Sequence, residues 1–524
     1  MNYGVYGGAF DPFHNGHMAV IRGALSCGSI DRLIVVPTGV PVLKNYREVS
    51  LFPYRYYMTR SALSEIPNCT VSPIEVKNNQ ISYTLDTLNM IRQAESLSAH
   101  DRLFLVCGSD VLFEFDKWHR PREIMTNATL LVAERPGYRI EETRNKASEL
   151  ERMYGGNVDY FTIEPVDVSS REIRKSRDYS NLPAAAAEFV ADHDLYPADR
   201  PFDRLSDHTY ERIVEFCRIM FLEISEKRLL HSLNTAVLSA RYAIRFGTDP
   251  DKAAIAGLLH DCAKELSEPE QIEMLGHDYY IEPPVDGMIH GPAGAQYAIE
   301  RYHVDDKEIL NAINYHTTGR HGMTDIEKIV FLADKLEPAR KFSDLKEIRR
   351  LAETDLNAAM IECLTAIKKC LVHEGMVFHK YAEEALQDLT TKEITNLKEE
   401  KMDPKTSSEK IAEILTDKKA VDVEIIPVAQ KTIIADYFIV ASGTSTTHVK
   451  SLAEEVSFVM KDSHGISPDH IEGMSTARWV LLDYKDVVVH VFHPEERSNY
   501  SLEKLWNTRP EDNTIISSDS EKPE

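Results

Sequence analysis

The strand-forming runs of this chain stop near residue 197 and resume only at 421, so no single sheet can organise the whole of it. Before the gap, β-rich runs at 3–6, 32–36, 70–76, 102–106, 129–133 and 158–163 alternate with amphipathic segments such as 54–66 and 84–94. That alternation predicts βαβ units, and hence a parallel sheet with helices on both faces. Over 205–395 apolar residues recur at helical spacing instead, as in Ile213, Phe216, Cys217 and Met220. This stretch predicts an all-helical domain, joined to the first by the polar linker ADRPFDRLSD. A second linker, LKEEKMDPKTSSEK, leads into 405–507. There a helix near 406–417, strand-like runs at 421–426, 437–441, 479–483 and 487–492, and a helix after Thr447 predict a small α/β domain. Residues 508–524 have little to bury and are expected to be disordered. For 524 residues, three domains at 1–197, 205–395 and 405–507 match ordinary domain sizes.

Charge narrows the partners. With 60 Lys+Arg against 84 Asp+Glu, the formal net charge is −24. A surface that acidic repels a phosphate backbone, which argues against free nucleic acid; small anions can still be held by local cations and backbone amides. No run approaches the roughly 18 apolar residues of a membrane span, and MNYGVYGGAF lacks the cationic and apolar regions of a signal peptide. The seven cysteines are scattered, without any CxxC, as reduced structural thiols would be. A cytoplasmic protein with no membrane contact is expected.

Directly after the first apolar run comes Gly7-Gly8-Ala9-Phe10-Asp11-Pro12-Phe13-His14-Asn15-Gly16-His17, opening a helix towards Cys27. Glycines at a strand-to-helix turn let the backbone approach a phosphate, and the helix start offers N–H groups and partial positive charge. His14 and His17 are three apart on the first turn, so both can face one ligand and donate to phosphoryl oxygens as charge develops. The pattern GGxFDPxHxGH resembles the nucleotidyltransferases of Rossmann-like fold that attach AMP to a nucleotide or phosphoester. Further segments narrow the resemblance to nicotinate-nucleotide adenylyltransferase over about 1–197: Gly108-Ser109-Asp110, Trp118 in FDKWHRP, Ser82-Tyr83-Thr84-Leu85-Asp86-Thr87, Glu134-Arg135-Pro136-Gly137 and Val168-Ser169-Ser170-Arg171-Glu172-Ile173-Arg174.

That resemblance implies ATP with Mg²⁺ and nicotinate mononucleotide as substrates. It implies an ATP site of Gly7, Gly8, Phe10, His14, His17, Ser169, Ser170 and Arg174, with His14, His17 and Arg174 catalytic. It implies a substrate site of Lys44, Thr84, Gly108, Asp110, Trp118 and Arg135, where Trp118 stacks on the nicotinate ring; the alternative for Trp118 is a place in the core. Two positions depart from the family pattern. Arg171 replaces a threonine and adds a cation near the phosphates, and Pro41-Val42-Leu43-Lys44 has Leu43 in place of a histidine.

In the helical stretch His231, His260-Asp261, His290, His316 and Asp334 follow one another in order. An adjacent His-Asp pair supplies an imidazole and a bridging carboxylate, and histidines from neighbouring helices complete a mononuclear or binuclear metal site. The ordered set is the HD-domain phosphohydrolase pattern. His-Thr-Thr-Gly-Arg at 316–320 and Leu332-Ala333-Asp334-Lys335-Leu336-Glu337-Pro338 resemble one branch of it, the bacterial symmetrical diadenosine tetraphosphatases. That resemblance implies one or two transition-metal ions, iron or manganese, held by His231, His260, Asp261, His290, His316 and Asp334. It implies hydrolysis of diadenosine tetraphosphate to two ADP, with Asp261 and Lys264 catalytic. Lys264, one turn after Asp261, is placed either to reach a phosphate or on a solvated helix face. A cyclic-nucleotide phosphodiesterase is the alternative activity.

In the last domain, Asp436 to Ser445 (DYFIVASGTS), Trp479 to Phe492 and Glu503-Lys504-Leu505-Trp506 resemble the ribosomal silencing factor family. Asp483 and Asp486 flank a Tyr-Lys turn and do not share a strand face, as two-metal nucleotidyl transfer requires, so a catalytically silent module is expected. The resemblance implies a large-subunit ribosomal protein as partner and a steric block to subunit joining. A rival reading makes the chain a non-catalytic ribosome-regulating scaffold with nucleotide-sensing front domains; the intact His14/His17 pair and the full His/Asp series argue against it.

Overall fold

The structure is a computed structural model that describes residues 1–39, 46–77, 83–134, 139–164, 166–276, 288–341, 345–399, 402–432 and 434–507. Lys44, Leu43, Arg135 and the expected tail 508–524 lie outside the described residues. The chain divides into two compact units, Met1–Leu389 and Thr390–Glu524.

The first unit begins with six strands: β1 (Asn2–Gly8), β2 (Arg32–Pro37), β3 (Cys69–Val71), β4 (Arg102–Gly108), β5 (Thr129–Glu134) and β6 (Val158–Thr162). They form one parallel, Rossmann-like sheet in the order β3-β2-β1-β4-β5-β6. Its strands are almost continuously apolar because both faces are covered. Leu33, Val35, Phe104 and Leu131 pack with Ile21 and Ala24 of the Asn15–Ser26 helix. Val5, Ile34, Leu105 and Leu130 pack on the other face with Leu85, Leu88 and Leu150. The strand order reverses between β1 and β4, so a crevice opens beyond their carboxyl ends, where Gly7, Gly8 and Gly108 stand. The run expected as a strand over 70–76 stops at Val71. Pro73 has no N–H for a ladder, its carbonyl accepts from the Val76 N–H, and the chain turns into the short helix Ile74–Lys77.

From Asp207 onward the described part of this unit is helical, as expected. Ser206, Ser225, Asp249, Asp306, Thr324 and Asp355 each cap a helix by accepting N–H groups of its first turn. The parallel-sheet half and the helical half share a core. Tyr54, Met58, Ile173 and Val190 lie in one buried cluster with Ile213, Phe216, Leu233, Ile255 and Ile313. The polar segment ADRPFDRLSD is part of that packing: Pro201 and Leu205 are buried, and Arg47 donates to the Leu205 carbonyl (3.0 Å) and pairs with Asp207 (2.7 Å).

The second unit is a five-stranded mixed sheet of β7 (Val421–Pro427), β8 (Tyr437–Ser442), β9 (His470–Glu472), β10 (Trp479–Asp483) and β11 (Val487–Phe492), in the order β7-β8-β11-β10-β9. Only β8 and β11 pair in parallel among these strands. Helices Pro404–Asp417 and Thr446–His464 bury Ile411, Leu415, Leu452 and Val456 against Ile439, Val489 and Val491. β9, His470-Ile471-Glu472, is exposed throughout and at three residues is too short to give an alternation signal in the sequence. No helix among the described residues is long and apolar enough to cross a membrane.

Candidate active sites

The first site is built on the turn after β1. The chain passes through Phe10 at a positive φ of 49° and enters the Asn15–Ser26 helix, whose amino-terminal cap is His14. His14 Nδ1 accepts the Gly16 N–H (3.2 Å), and His17 Nδ1 accepts the His14 N–H (3.2 Å). This reciprocal capping makes both Nδ1 atoms acceptors, which places the proton of each neutral ring on Nε2 and makes Nε2 the donor. The two rings stack with centroids 3.7 Å apart. Phe10, 1 % exposed, meets His17 edge-on at 5.0 Å, so its ring braces the histidine from below.

The segment from 168 to 174 joins this turn from far along the chain. Ser169 caps the Ser170–Ser176 helix by accepting the Glu172 N–H (3.2 Å), and Ser170 Oγ donates to the Pro12 carbonyl (3.1 Å). Arg174 donates to the Asp11 carbonyl and stands 3.6 Å from its carboxylate. Gly7, Gly8, His14, His17, Ser169, Ser170 and Arg174 therefore surround one loop, with Gly108 at the end of the neighbouring β4 and Asp110 in the helix that follows. Thr84 and Trp118 stand on other elements: Thr84 opens the Thr84–Ala94 helix, and Trp118 is half-buried against Phe115 (5.4 Å). Sequence reading missed Arg55, which is fully buried and donates to the carbonyls of Ala9, Thr38, Gly39 and Ser50. It fixes the ends of β1 and β2 relative to each other. An arginine in the aromatic run FPYRYYM gives no local sign of that role.

The second site lies among the helices. His231 is on Glu226–Arg245, His260 and Asp261 follow Pro250–Leu259, His290 opens His290–Tyr302, His316 follows Lys307–Tyr315, and Asp334 is on Asp325–Leu336. Two glycines let these helices close in. A Cβ at Gly257 would stand 2.7 Å from Ser239 Oγ, and one at Gly291 would stand 2.6 Å from the Asn314 carbonyl oxygen. The result is a buried cluster. His231 Nε2 is 2.9 Å from Asp334 Oδ1 and 3.2 Å from His260 Nε2, and His290 Nε2 is 3.2 Å from His316 Nε2. Asp261 lies between the pairs: Oδ2 faces His260 (3.6 Å) and His231 (3.8 Å), while Oδ1 faces His290 (3.2 Å) and His316 (3.3 Å).

The donor set fits a divalent metal. His260 and His316 give their Nδ1–H to the carbonyls of Gly257 and Ile313 (2.7 Å each), so their Nε2 atoms carry lone pairs into the cluster. His231 lies between two carboxylates, with Nδ1 3.3 Å from Glu337 and Nε2 2.9 Å from Asp334, and its Nε2 also meets that of His260. Asp261 Oδ1 is buried without a hydrogen-bond partner. Inward imidazole lone pairs on His260 and His316 and an orphaned carboxylate oxygen are what a bound cation would satisfy. Burial pushes the His316 imidazole down to about 4, keeping it in the neutral form that ligates. Burial alone would raise the Asp261 carboxyl, but His260, His290 and His316 outweigh it and hold it below the usual carboxylate range.

Cations ring the cluster. Lys264 turns inward, with Nζ 3.1 Å from His290 Nε2 and 3.7 Å from Asp261 Oδ1, and burial lowers its pKa against the pull of Asp261. Arg228 donates to Asp261 Oδ2, Lys335 is 2.9 Å from Asp334 Oδ2, and Arg340 is 3.4 Å from Asp334 Oδ1. Sequence reading missed these last three. Arg228 lies one turn before His231 and Lys335 next to Asp334, positions where a basic residue on a helix ordinarily reads as solvated surface. In a chain this acidic, four cations at one cluster form a mouth suited to phosphate.

Each part of the chain is similar to known proteins. The cytidylyltransferase-like family model matches residues 5–176, the HD domain model 228–339, and the model described as ribosomal silencing factor during starvation 401–524. A Mycoplasma pneumoniae protein named "Probable nicotinate-nucleotide adenylyltransferase/Ap4A hydrolase" is 28% identical over 68% of this chain and 96% of its own length. A Nocardioides protein named "Probable nicotinate-nucleotide adenylyltransferase" is 31% identical over 38% of this chain and 97% of its own length. The Bacillus subtilis "Bis(5'-nucleosyl)-tetraphosphatase, symmetrical" is 38% identical over 27% of this chain and 78% of its own length. The HD match implies a divalent metal, in keeping with the His/Asp cluster.

Proposed function

Because the chain belongs in its first part to the nicotinate-nucleotide adenylyltransferases and in its middle part to the symmetrical HD-domain tetraphosphatases, we propose that one folded unit carries two phosphoryl chemistries. The first is adenylyl transfer from ATP, taken as its Mg²⁺ complex, to nicotinate mononucleotide. The substrate phosphate attacks the α-phosphorus and pyrophosphate leaves. His14 and His17 donate Nε2–H to the oxygens that gain charge, and their reciprocal capping pre-sets that tautomer. Arg174 and the Ser170–Ser176 helix start receive the leaving phosphates, for which Arg174 must exchange its bonds to Asp11. Lys44, Thr84, Gly108, Asp110, Trp118 and Arg135 hold the mononucleotide in this reading.

The second is symmetrical hydrolysis of diadenosine tetraphosphate to two ADP. His231, His260, Asp261 and Asp334 would hold one iron or manganese ion, and Asp261, His290 and His316 a second. A metal so held activates water and polarises phosphoryl oxygens. Lys264, Arg228, Lys335 and Arg340 supply the charge that draws in and orients the tetraphosphate. The observation that carries this reading is Asp261, whose two oxygens face two separate groups of imidazoles. Product analysis tests it: ADP alone supports the symmetrical cut, and ATP plus AMP contradicts it.

Among its described residues the second unit has neither a helix-start histidine pair after a glycine turn nor a His/Asp cluster. Asp483 and Asp486 flank the β10–β11 turn, with Lys485 between them at a φ of 69°, and in this reading the unit acts by occupying a surface. Its partner is a basic large-subunit ribosomal protein, for which an acidic domain is electrostatically suited, and its effect is to exclude the small subunit.

A further inference from the structure

The buried contact between the two halves of the first unit contains a hydrogen-bonded chain that ends on a ligand of the His/Asp cluster. It starts at Tyr54, on the Phe52–Leu63 helix of the sheet half, beside the Arg55 that fixes the first site's loops. Tyr54 is 5 % exposed, and its hydroxyl donates to Asn234 Oδ1 (2.9 Å). Asn234 lies one turn beyond His231 on Glu226–Arg245, and its Nδ2 donates to Glu337 Oε2 (2.8 Å). Glu337 Oε2 also accepts the Ala339 N–H (2.8 Å), and Oε1 stands 3.3 Å from His231 Nδ1.

The directions of the two bonds at Asn234 are fixed by chemistry. A carboxylate only accepts, so Asn234 must turn its amide NH₂ to Glu337, which leaves Oδ1 for Tyr54 and obliges the Tyr54 hydroxyl to donate. Burial, with Cys217 and Glu337 adding to it, raises the Tyr54 phenol well above its usual value, so the donor proton stays on. Glu337, held at both oxygens, faces His231 Nδ1 and so orients the ring with Nε2 towards Asp334 and His260. His260 and His316 are oriented by carbonyls of their own helices. Of these three histidines, only His231 is oriented by a side chain whose further partners reach the other half of the unit.

We propose that Tyr54 is a positioning residue for His231, lent across the contact by the nucleotidyltransferase half, so that the metal centre takes its full form only with both halves joined. The proposal rests on reading the His/Asp cluster as a metal centre. Removing an outer partner of a metal-bound histidine typically costs 10–100-fold in metal affinity, and Tyr54 acts through two intermediates, so a loss of about 10-fold is expected.

The test uses the full chain, stripped with a chelator and titrated with Mn²⁺ in competition with a fluorescent chelator. Tyr54→Phe keeps the ring and its packing and deletes only the donor. It is expected to weaken Mn²⁺ binding about 10-fold while adenylyl transfer stays at the wild-type rate. Asn234→Ala should weaken binding at least as much, and adding Tyr54→Phe to it should cost nothing more, as members of one chain behave. Arg60→Met breaks the ion pair with Glu226 at the same contact without touching the chain and should bind Mn²⁺ as wild type does. Wild-type affinity in Tyr54→Phe overturns the proposal. An equal loss in Arg60→Met also overturns it, by assigning the effect to a loosened contact. A wild-type chain that takes up no Mn²⁺ overturns the metal-centre reading itself.

Discussion

Single residues carry the two proposed reactions, and their effects can be sized. His17→Ala removes one positioned donor from the developing phosphoryl charge, so adenylyl transfer should fall about 10²–10³-fold in turnover; turnover near wild type would remove His17 from that role. Arg228→Ala deletes the cation beside Asp261 while leaving every proposed ligand in place. A hydrogen bond to a charged group is worth about 1.5–3 kcal/mol, so the KM for diadenosine tetraphosphate should rise roughly 10-fold or more with bound metal unchanged in an elemental assay. Loss of metal in that variant would instead make Arg228 a structural support of the cluster. The His/Asp series was legible in the sequence because histidines and an adjacent His-Asp pair are rare in ordinary helices and recurred in order. Arg55, Arg228, Arg340 and Glu337 were not. Arginines and glutamates are the ordinary surface of a helix, and only tertiary contacts reveal that Arg55 and Glu337 are buried at 1 % and 3 % exposure.

At the scale of elements, the parallel strands were legible because burial on both faces leaves short, continuous apolar runs between polar helices. The run at 70–76 misled by its β-branched content, and Pro73 overrode it through a missing N–H. β9 is three residues long, with Ile471 opposite Leu482 its one apolar position, too short a run to read as a strand. In the second unit β11 carries His490, 6 % exposed, whose Nδ1 accepts from Trp479 Nε1 (3.3 Å) and whose Nε2 has no partner. Burial pushes this imidazole down to about 4, against an ordinary value near 6.5. The folded unit therefore refuses a proton that the unfolded chain takes up below pH 6.5. The stabilising effect of that difference is complete above pH 6.5 and is lost as pH falls towards 4, at about 1.4 kcal/mol per pH unit and about 3 kcal/mol in all. Urea unfolding of the full chain carrying Trp118→Phe, followed by the fluorescence of Trp479 and Trp506, should show this slope, and His490→Gln should flatten it. An unchanged slope in the variant would assign the acid sensitivity to other groups.

For the whole molecule, the sequence showed three textures, but it did not show that the first two share a core. Cross-contacts such as Met58 and Val190 against Ile213 and Leu233 join residues far apart in the chain, and each reads locally as the buried face of its own helix. The segment ADRPFDRLSD likewise reads as a linker by composition, while its polar groups are taken up in caps and backbone bonds. In the proposed reading, the second unit adds a function of a different kind. A fragment of residues 404–508 should travel with isolated large ribosomal subunits in sedimentation, and its failure to do so even at low salt would remove the ribosome from this account. If two independent reactions occupy one folded unit, a crossed substitution experiment on the full chain separates them. Pyrophosphate release from ATP plus nicotinate mononucleotide and ADP release from diadenosine tetraphosphate would be measured side by side in His17→Ala and Asp261→Ala. His17→Ala is expected to lose only the first reaction, and Asp261→Ala only the second together with its metal. Loss of both reactions in either variant, or persistence of hydrolysis without Asp261, would contradict that expectation.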